Sequence, residues 1–406
     1  MLAAPRPKIR PSSVFPLLLL LPALLCACSG SSSGPGGSSS GNDLILVARS
    51  EGGRLYKAGP VSVLQLHGTH YEMGRQYGML LKDTLNSAYN LLIATCGSSF
   101  THDRMKQIGY NVYNRYPRQY QDVIKGMAET SGLGLDNQII LNALEWIPKI
   151  NGVVPYCSGF GVWGPYTTDG SMIFGRNNDD DLDTYGNFGA YVVVAVFNPT
   201  DSGLPVALIN YAGVVYAATA INSAGIFMEL NSGNVPGYYI DRPLLLVTMF
   251  SFLENYSTQD EINAAFQAVQ ADLSSIVNVA DPTIAYSFEC PLYGVLRRPP
   301  DDNGLLAATN HYIDPSWGLP PPTPDSAYAW TSLRRNNLLA FAQANKGSLN
   351  VDKVEQVMAT PIANGGVLDA GTIYQVVVVP TSLTIWLRTP NHFDWQKIDL
   401  SRVFYR

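Results

Sequence analysis

The sequence predicts an α+β protein, and three observations predict it. Apolar runs of strand length recur in blocks, and stretches with apolar groups at helical spacing lie before and after those blocks. Of the 406 residues, 46% are apolar and only 14% charged, which describes a chain with ample material for a large core. Strand blocks with helical layers on either side suggest a four-layer αββα sandwich with a mainly helical N-terminal segment.

Residues 1–28 read as a secretory leader. Arg6, Lys8 and Arg10 form its basic start, and Val14 to Ala27 form an apolar run too short to span a bilayer comfortably. It ends Leu25-Cys26-Ala27-Cys28, which resembles a bacterial lipobox with Cys28 as the acylated residue, although Cys26 stands where Ala, Ser or Thr is usual. An ordinary signal peptide cut near Ala27 is the alternative. Residues 29–42, nearly all Ser and Gly, read as a flexible tether. The expectation is export across the inner membrane of a bacterium and lipid anchoring at the cell envelope.

A formal net charge of −6 argues against a nucleic-acid partner. Outside the leader stand Cys96, Cys157 and Cys290, an odd number, so at least one thiol is free unless chains pair with each other. The histidines (His67, His70, His102, His311, His392) show no ligand spacing, so neither a metal nor a cofactor is expected.

In the segment 43–156, Val61 to Leu66 alternates as a strand does. Thr69 then caps a helix, with Glu72 three residues on as its capping-box partner, and Gly74 and Gly78 leave a smooth stripe for close packing of another backbone. Further helical patterns lie around 103–116, 117–131 and 135–150. On composition this is a helical segment with no chemistry of its own, in which His70 and Glu72 cap or pack.

From Gly68 the chain reads Gly-Thr-x-Tyr-Glu-Met-Gly-x-Gln-x-Gly, to Gly78. This run resembles the opening signature of the acyl-CoA:6-aminopenicillanate acyltransferase family. That family belongs to the N-terminal nucleophile hydrolases and is related to choloylglycine hydrolases, N-acylethanolamine acid amidase and acid ceramidase. The likeness continues, with gaps, to the C-terminus, and it specifies the αββα sandwich more closely than the pattern of elements does.

The segment 157–406 opens with two strands, Cys157–Phe160 and Ser171–Phe174, around a turn at Thr167-Thr168-Asp169-Gly170. A strand beginning at Cys157 puts the thiol at the mouth of a sheet. The resemblance implies that Cys157 first cuts the bond before it, between Tyr156 and Cys157. It would then act as nucleophile with its own freed α-amine as general base, the two resulting chains staying associated. An unperturbed α-amine has a pKa of about 7.7–8.0 and suits that role.

Gly175-Arg176-Asn177-x-Asp179 matches the family's Gly-Arg-Asn-x-Asp. The match assigns Arg176 to activating the thiol and Asp179 to orienting the amine. Asn231, at the end of the strand Phe227–Leu230, matches the oxyanion asparagine, and Asn310 the second family asparagine. Asn222 reads as a turn residue. Thr331-Ser332-Leu333-Arg334-Arg335 resembles the family's Ser-x-x-Arg region, and either Arg334 or Arg335 can face the substrate.

Two patterns are decoys. Gly159 to Gly164 fits GxGxxG, but no helix follows it. Asp179 to Asp183 lacks the glycine and distal glutamate of a calcium loop, so Asp180, Asp181 and Asp183 are expected in a solvated loop.

The function expected is a self-processing cysteine amidohydrolase or acyltransferase acting on a small-molecule linear carboxamide. The alternatives are a Cys157/His311 hydrolase that needs no self-cleavage and a catalytically dead surface binding lipoprotein.

Overall fold

The computed structural model describes residues 43–148, 157–323 and 329–405. The leader, the acylation site Cys28, the tether and Tyr156 lie outside the described residues.

Three strands open the described chain: β1 (Ile45–Ser50), β2 (Gly53–Ala58) and β3 (Val61–Gly68). Five helices follow, α1 (His70–Leu80), α2 (Lys82–Cys96), α3 (His102–Tyr113), α4 (Arg118–Ser131) and α5 (Gly134–Asn142). The expected hairpin is β4 (Ser158–Val162) with β5 (Ile173–Asp179). It leads through the short α6 (Leu182–Tyr185) to β6 (Val192–Pro199), β7 (Val206–Tyr211), β8 (Thr219–Asn222) and β9 (Phe227–Ser232). Next come α7 (Leu245–Asn255), α8 (Gln259–Phe266), β10 (Ser275–Ala280), β11 (Ala285–Cys290), β12 (Leu296–Arg298) and β13 (Leu305–Ala308). The chain closes with α9 (Ala329–Ala344), α10 (Val351–Ala359), β14 (Thr372–Val379), β15 (Thr384–Thr389) and β16 (Phe393–Asp399).

These strands form two sheets. The larger runs β1-β2-β3-β6-β7-β8-β9-β10-β11-β12 and the smaller β13-β4-β5-β14-β15-β16. Every pairing is antiparallel except β3 with β6. A parallel pair needs a long crossover, and α1 to α5 with the β4–β5 hairpin supply it. Helix α7 packs on β7, β8 and β9, α1 on β2 and β3, and α9 and α10 cover β4, β5, β13 and β14. The sheets meet face to face, with Phe174 of β5 against Phe227 of β9 at 5.3 Å between ring centroids. The architecture is the αββα sandwich expected.

Alternation along β4 explains its glycines. Phe160 and Val162 point to the helical layer and share a buried cluster with Leu338, Val354 and Met358. Gly159 and Gly161 point toward the other sheet: a Cβ on Gly159 would collide with the Glu229 carboxylate, and one on Gly161 would lie 3.0 Å from the Phe174 ring of the neighbouring strand and 3.4 Å from Ala285 across the sheets. Gly164, at φ +52°, turns the hairpin. The GxGxxG pattern thus serves close sheet contact and a turn.

The capping box at Thr69 and Glu72 forms as expected. A Cβ at Gly74 or Gly78 would run into the backbone of α4, so these glycines set the approach of two helices. His70 does more than cap. It is buried with Nδ1 2.8 Å from Asp201 and Nε2 2.9 Å from Glu254, and the Tyr120 hydroxyl donates to Glu254 at 2.6 Å.

Several boundaries differ from expectation. Three strands precede α1 where one was expected, so the N-terminal segment belongs to the large sheet as well as to the helical layer. The run Leu305 to Tyr312 reads in sequence as one strand, but β13 stops at Ala308 because the Asn310 amide and the Thr309 hydroxyl bond Thr331 of α9 instead of a neighbouring strand. Asp180 is buried rather than solvated, Asp181 caps α6, and Asp183 is exposed as expected. Among the described residues no group of three or more His, Cys, Asp or Glu is placed to hold a metal ion.

Candidate active site

Cys157 stands one residue before β4, with its thiol donating to the Asp179 carbonyl at 3.6 Å. Burial pushes its pKa up to about 12, against the pull of the Arg176 guanidinium. In this arrangement the sulfur is a thiol, and a base must take its proton before it can attack.

Arg176 sits opposite Gly159 across the hairpin and is almost wholly buried. Its Nη1 pairs with the Glu229 carboxylate and donates to the Leu230 carbonyl at 2.9 Å, while Nη2 donates to Asn178 Oδ1 at 2.7 Å. Burial works against its charge and Glu229 outweighs it, so its pKa stands above the ordinary value. The arginine therefore reaches the thiol already paired, which is why it moderates the thiol pKa without inverting it. Glu229 is absent from the sequence-derived set. The signal that could have found it is a lone acid inside Phe-Met-Glu-Leu, a strand of buried residues.

Asp179 ends β5, fully buried. Thr372 donates to its Oδ1 at 2.7 Å, Arg334 Nη1 lies 3.7 Å from Oδ2, and Oδ2 has no hydrogen-bond partner. Burial raises its pKa to about 7, with Arg334 and the Thr372 hydroxyl holding it lower than burial alone would.

The structure separates the two arginines of α9. Arg334 is buried and donates to the Cys157 carbonyl at 2.6 Å, to Ser158 Oγ at 2.7 Å and to Asn310 Oδ1 at 2.7 Å. Arg335 points away and pairs with Asp301. Helical spacing carried this distinction, because Thr331, Arg334, Leu338 and Ala342 form the buried face of α9. Asn310 is tied on its other side, donating to the Ser232 carbonyl at 2.8 Å.

His311 follows directly, with Nδ1 3.0 Å from the Thr331 hydroxyl and 3.3 Å from that of Thr309. Burial and the arginines around it push its pKa down to about 4, so it is neutral at physiological pH. Asn222 organises its turn through its side chain, accepting from the Ala224 and Ile226 amides, while the left-handed position falls to Gly225 at φ +84°.

Asn231 shares a face of β9 with Glu229, two residues away. It is completely buried, and neither its Nδ2 nor its Oδ1 has a hydrogen-bond partner. A buried amide left this way costs about 1–3 kcal/mol.

Of these groups, Cys157, Arg176, Asn178 and Asp179 line a cavity of about 670 Å³. Ile108, Val112, Trp146, Val235 and Leu246 form apolar walls. The N-terminal segment, expected to carry no chemistry, supplies part of those walls from α3 and Trp146. The volume suits a small organic molecule.

No family model matches the chain. Over 239 residues it is 23% identical to Protein dcd1B of Dictyostelium discoideum, a match covering 50% of this chain. The chain spans about half the length of the curated relatives it matches, 46% for this one and for Protein dcd1A of the same organism. Among solved structures it is similar to the Caenorhabditis elegans ortholog of N-acylethanolamine-hydrolyzing acid amidase. There the identity is 17% and the TM-score 0.44, over 60% of this chain and 100% of that one. It is also similar to a conjugated bile acid hydrolase from Clostridium perfringens, at 14% identity and TM-score 0.44, over 61% of this chain and 93% of that one. A third likeness is to penicillin V acylase from Agrobacterium tumefaciens, at 13% identity and TM-score 0.43, over 61% and 87%.

Proposed function

We propose that the chain is a self-processing cysteine amidohydrolase or acyltransferase whose nucleophile is Cys157. The observation that carries the reading is a thiol and a buried carboxylate of pKa about 7 with an unpartnered oxygen on the wall of one cavity, with the unpartnered amide of Asn231 between the cavity-lining Leu230 and Ser232 in sequence.

The high thiol pKa means that a neighbouring arginine is not enough to activate the sulfur, so a base is required. Cleavage between Tyr156 and Cys157 provides one, the new α-amine of Cys157, with Asp179 Oδ2 to orient it. The amine takes the thiol proton as sulfur adds to the substrate carbonyl. Asn231 Nδ2 donates to the oxyanion, and the amine returns the proton to the departing nitrogen. Water, or a second amine, then attacks the thioester and releases the acyl group. Arg334 holds the Cys157 carbonyl and Asn310 in register, and the apolar walls suit an apolar acyl group.

Intact-mass measurement of the purified wild type and of Cys157→Ala tests this. The wild type should divide into a chain ending at Tyr156 and one beginning at Cys157, and the variant should stay whole. An uncut wild type that still hydrolyses amides would point to His311 as the base. An uncut, inactive one would point to a binding protein.

A further inference from the structure

A row of polar side chains crosses the large sheet beneath the site. Arg298 of β12 lies opposite Ser287 of β11, Ser287 opposite Asn278 of β10, and Asn278 opposite Glu229 of β9. Directly opposed residues point to one face of a sheet, so the four stand side by side. All are buried, and Ser287, Asn278 and Glu229 completely so. Two residues along on the same face, the row Phe227, Ala280 and Ala285 is apolar, so polarity here is particular to one row.

The hydrogen bonds in the row run in one direction. Arg298 Nη2 donates to Ser287 Oγ at 3.2 Å, Ser287 Oγ donates to Asn278 Oδ1, and Asn278 Nδ2 donates to Glu229 Oε1. Glu229 Oε2 takes the Arg176 guanidinium from the other sheet. The chain of donors thus starts on one guanidinium and ends on the carboxylate that pairs another, and bonds in such a chain polarise each other. The Asn278 donor favours the charged form of Glu229, which burial opposes. Asp301 anchors the far end, 3.0 Å from Arg298 and paired with Arg335.

The near end meets the hairpin that carries Cys157. Gly159 and Arg176 are register partners on that hairpin, and a Cβ on Gly159 would strike both Glu229 Oε1 and Asn278 Nδ2. The row therefore fills the space that this glycine leaves, two residues beyond the thiol. We propose that Asn278 and Ser287 are positioning residues, which hold the Glu229 charge against Arg176 and so set how much of the arginine's charge the Cys157 thiol feels. Cys157 and Arg176 line the cavity, whereas Asn278 and Ser287 act on them from behind its wall. The consequence for catalysis rests on the reading of Cys157 as the nucleophile.

Alkylation of Cys157 by iodoacetamide at pH 8 tests the proposal in the full chain, with peptide mass separating Cys157 from Cys96 and Cys290. Without the Asn278 donor, Glu229 holds its negative charge less firmly, and that charge raises the thiol pKa. Asn278→Ala should therefore speed alkylation by about threefold. Ser287→Ala, one bond further off, should speed it by about twofold, and it carries the test alone should Asn278→Ala not fold. The double variant should match Asn278→Ala, because both act through one chain. Ile276→Val, on the same strand and face but outside the row, should react at the wild-type rate. A wild-type rate in either folded row variant would overturn the proposal, as would an additive double variant or equal acceleration by Ile276→Val. Intact mass of the same samples reads self-cleavage separately, so failure of the self-processing reading and failure of the row are told apart.

Discussion

Two buried arginines serve the candidate site, and they are used differently. Arg176 comes from the hairpin and is paired head-on with Glu229, so its charge is largely cancelled where it stands. Arg334 comes from α9 and directs its donors to the Cys157 carbonyl, Ser158 and Asn310, standing 3.7 Å from Asp179 without a hydrogen bond to it. One buried carboxylate is thereby held in an ion pair, and the other is left with a pKa of about 7 and an unpartnered oxygen. Burial raises the pKa of both carboxylates and each arginine only moderates the rise, so the contrast lies in the hydrogen bonds: Glu229 is bonded by its arginine, and Asp179 keeps one oxygen without a partner.

The sharpest way to break the comparison is to alter Asp179, the carboxylate with an oxygen that no donor reaches. Asp179→Asn should lower turnover of the best substrate in a chromogenic amide panel by roughly 10²–10⁴-fold. The same change should make the uncut chain, studied on a Cys157→Ala background, more stable at neutral pH by about 1–3 kcal/mol. The sign follows from the raised pKa. Asp179 contributes its full stability below its unfolded pKa of about 3.9 and loses it as pH rises toward about 7. Urea titrations at pH 4 and pH 7 should therefore show a fall that Asp179→Asn reduces.

Glu229→Gln attacks the paired side and leaves the Arg176 guanidinium buried without a counter-charge, which should cost about 3–5 kcal/mol in urea unfolding. It also removes a negative charge that raises the thiol pKa, so alkylation of Cys157 in the folded variant should be faster than in wild type. Loss of stability without faster alkylation would separate Glu229 from the thiol. Asn231→Ala should reduce turnover by roughly 10²–10³-fold while leaving stability unchanged or slightly higher, since it removes an amide with no partner. A destabilised variant would make that amide structural.

The smallest effect belongs to the arginine that points away. Arg335→Ala breaks a part-exposed pair with Asp301, should cost about 1 kcal/mol or less, and should leave self-cleavage at the wild-type rate. Arg334→Ala should slow it.

The elements that escaped the sequence reading did so for identifiable reasons. Strand β1 is exposed along most of its length and carries no buried alternation. Helix α2 has no side-chain cap and follows α1 without a break. Strands β10 and β11 are interrupted by Asn278, Ser287 and Glu289, polar residues that are buried because they bond to each other or across the fold. Conversely, Thr69 with Glu72, the Gly74 and Gly78 stripe and the hairpin from Cys157 were legible, because each depends on neighbours close in sequence.

The sequence by itself determined the layered α+β architecture, the local start of α1 and the order Cys157, Arg176, Asp179, Asn231, Asn310. The first two follow from local periodicity and capping, and the last is what the family resemblance implies. Only the tertiary structure decided that Arg176 is neutralised by Glu229, that Arg334 rather than Arg335 turns inward, that Asp180 is buried, and that α3 helps to wall the cavity. The reason is physical: the state of a buried charge depends on groups brought to it through space, and β9, α9 and α3 are far from the Cys157 hairpin along the chain.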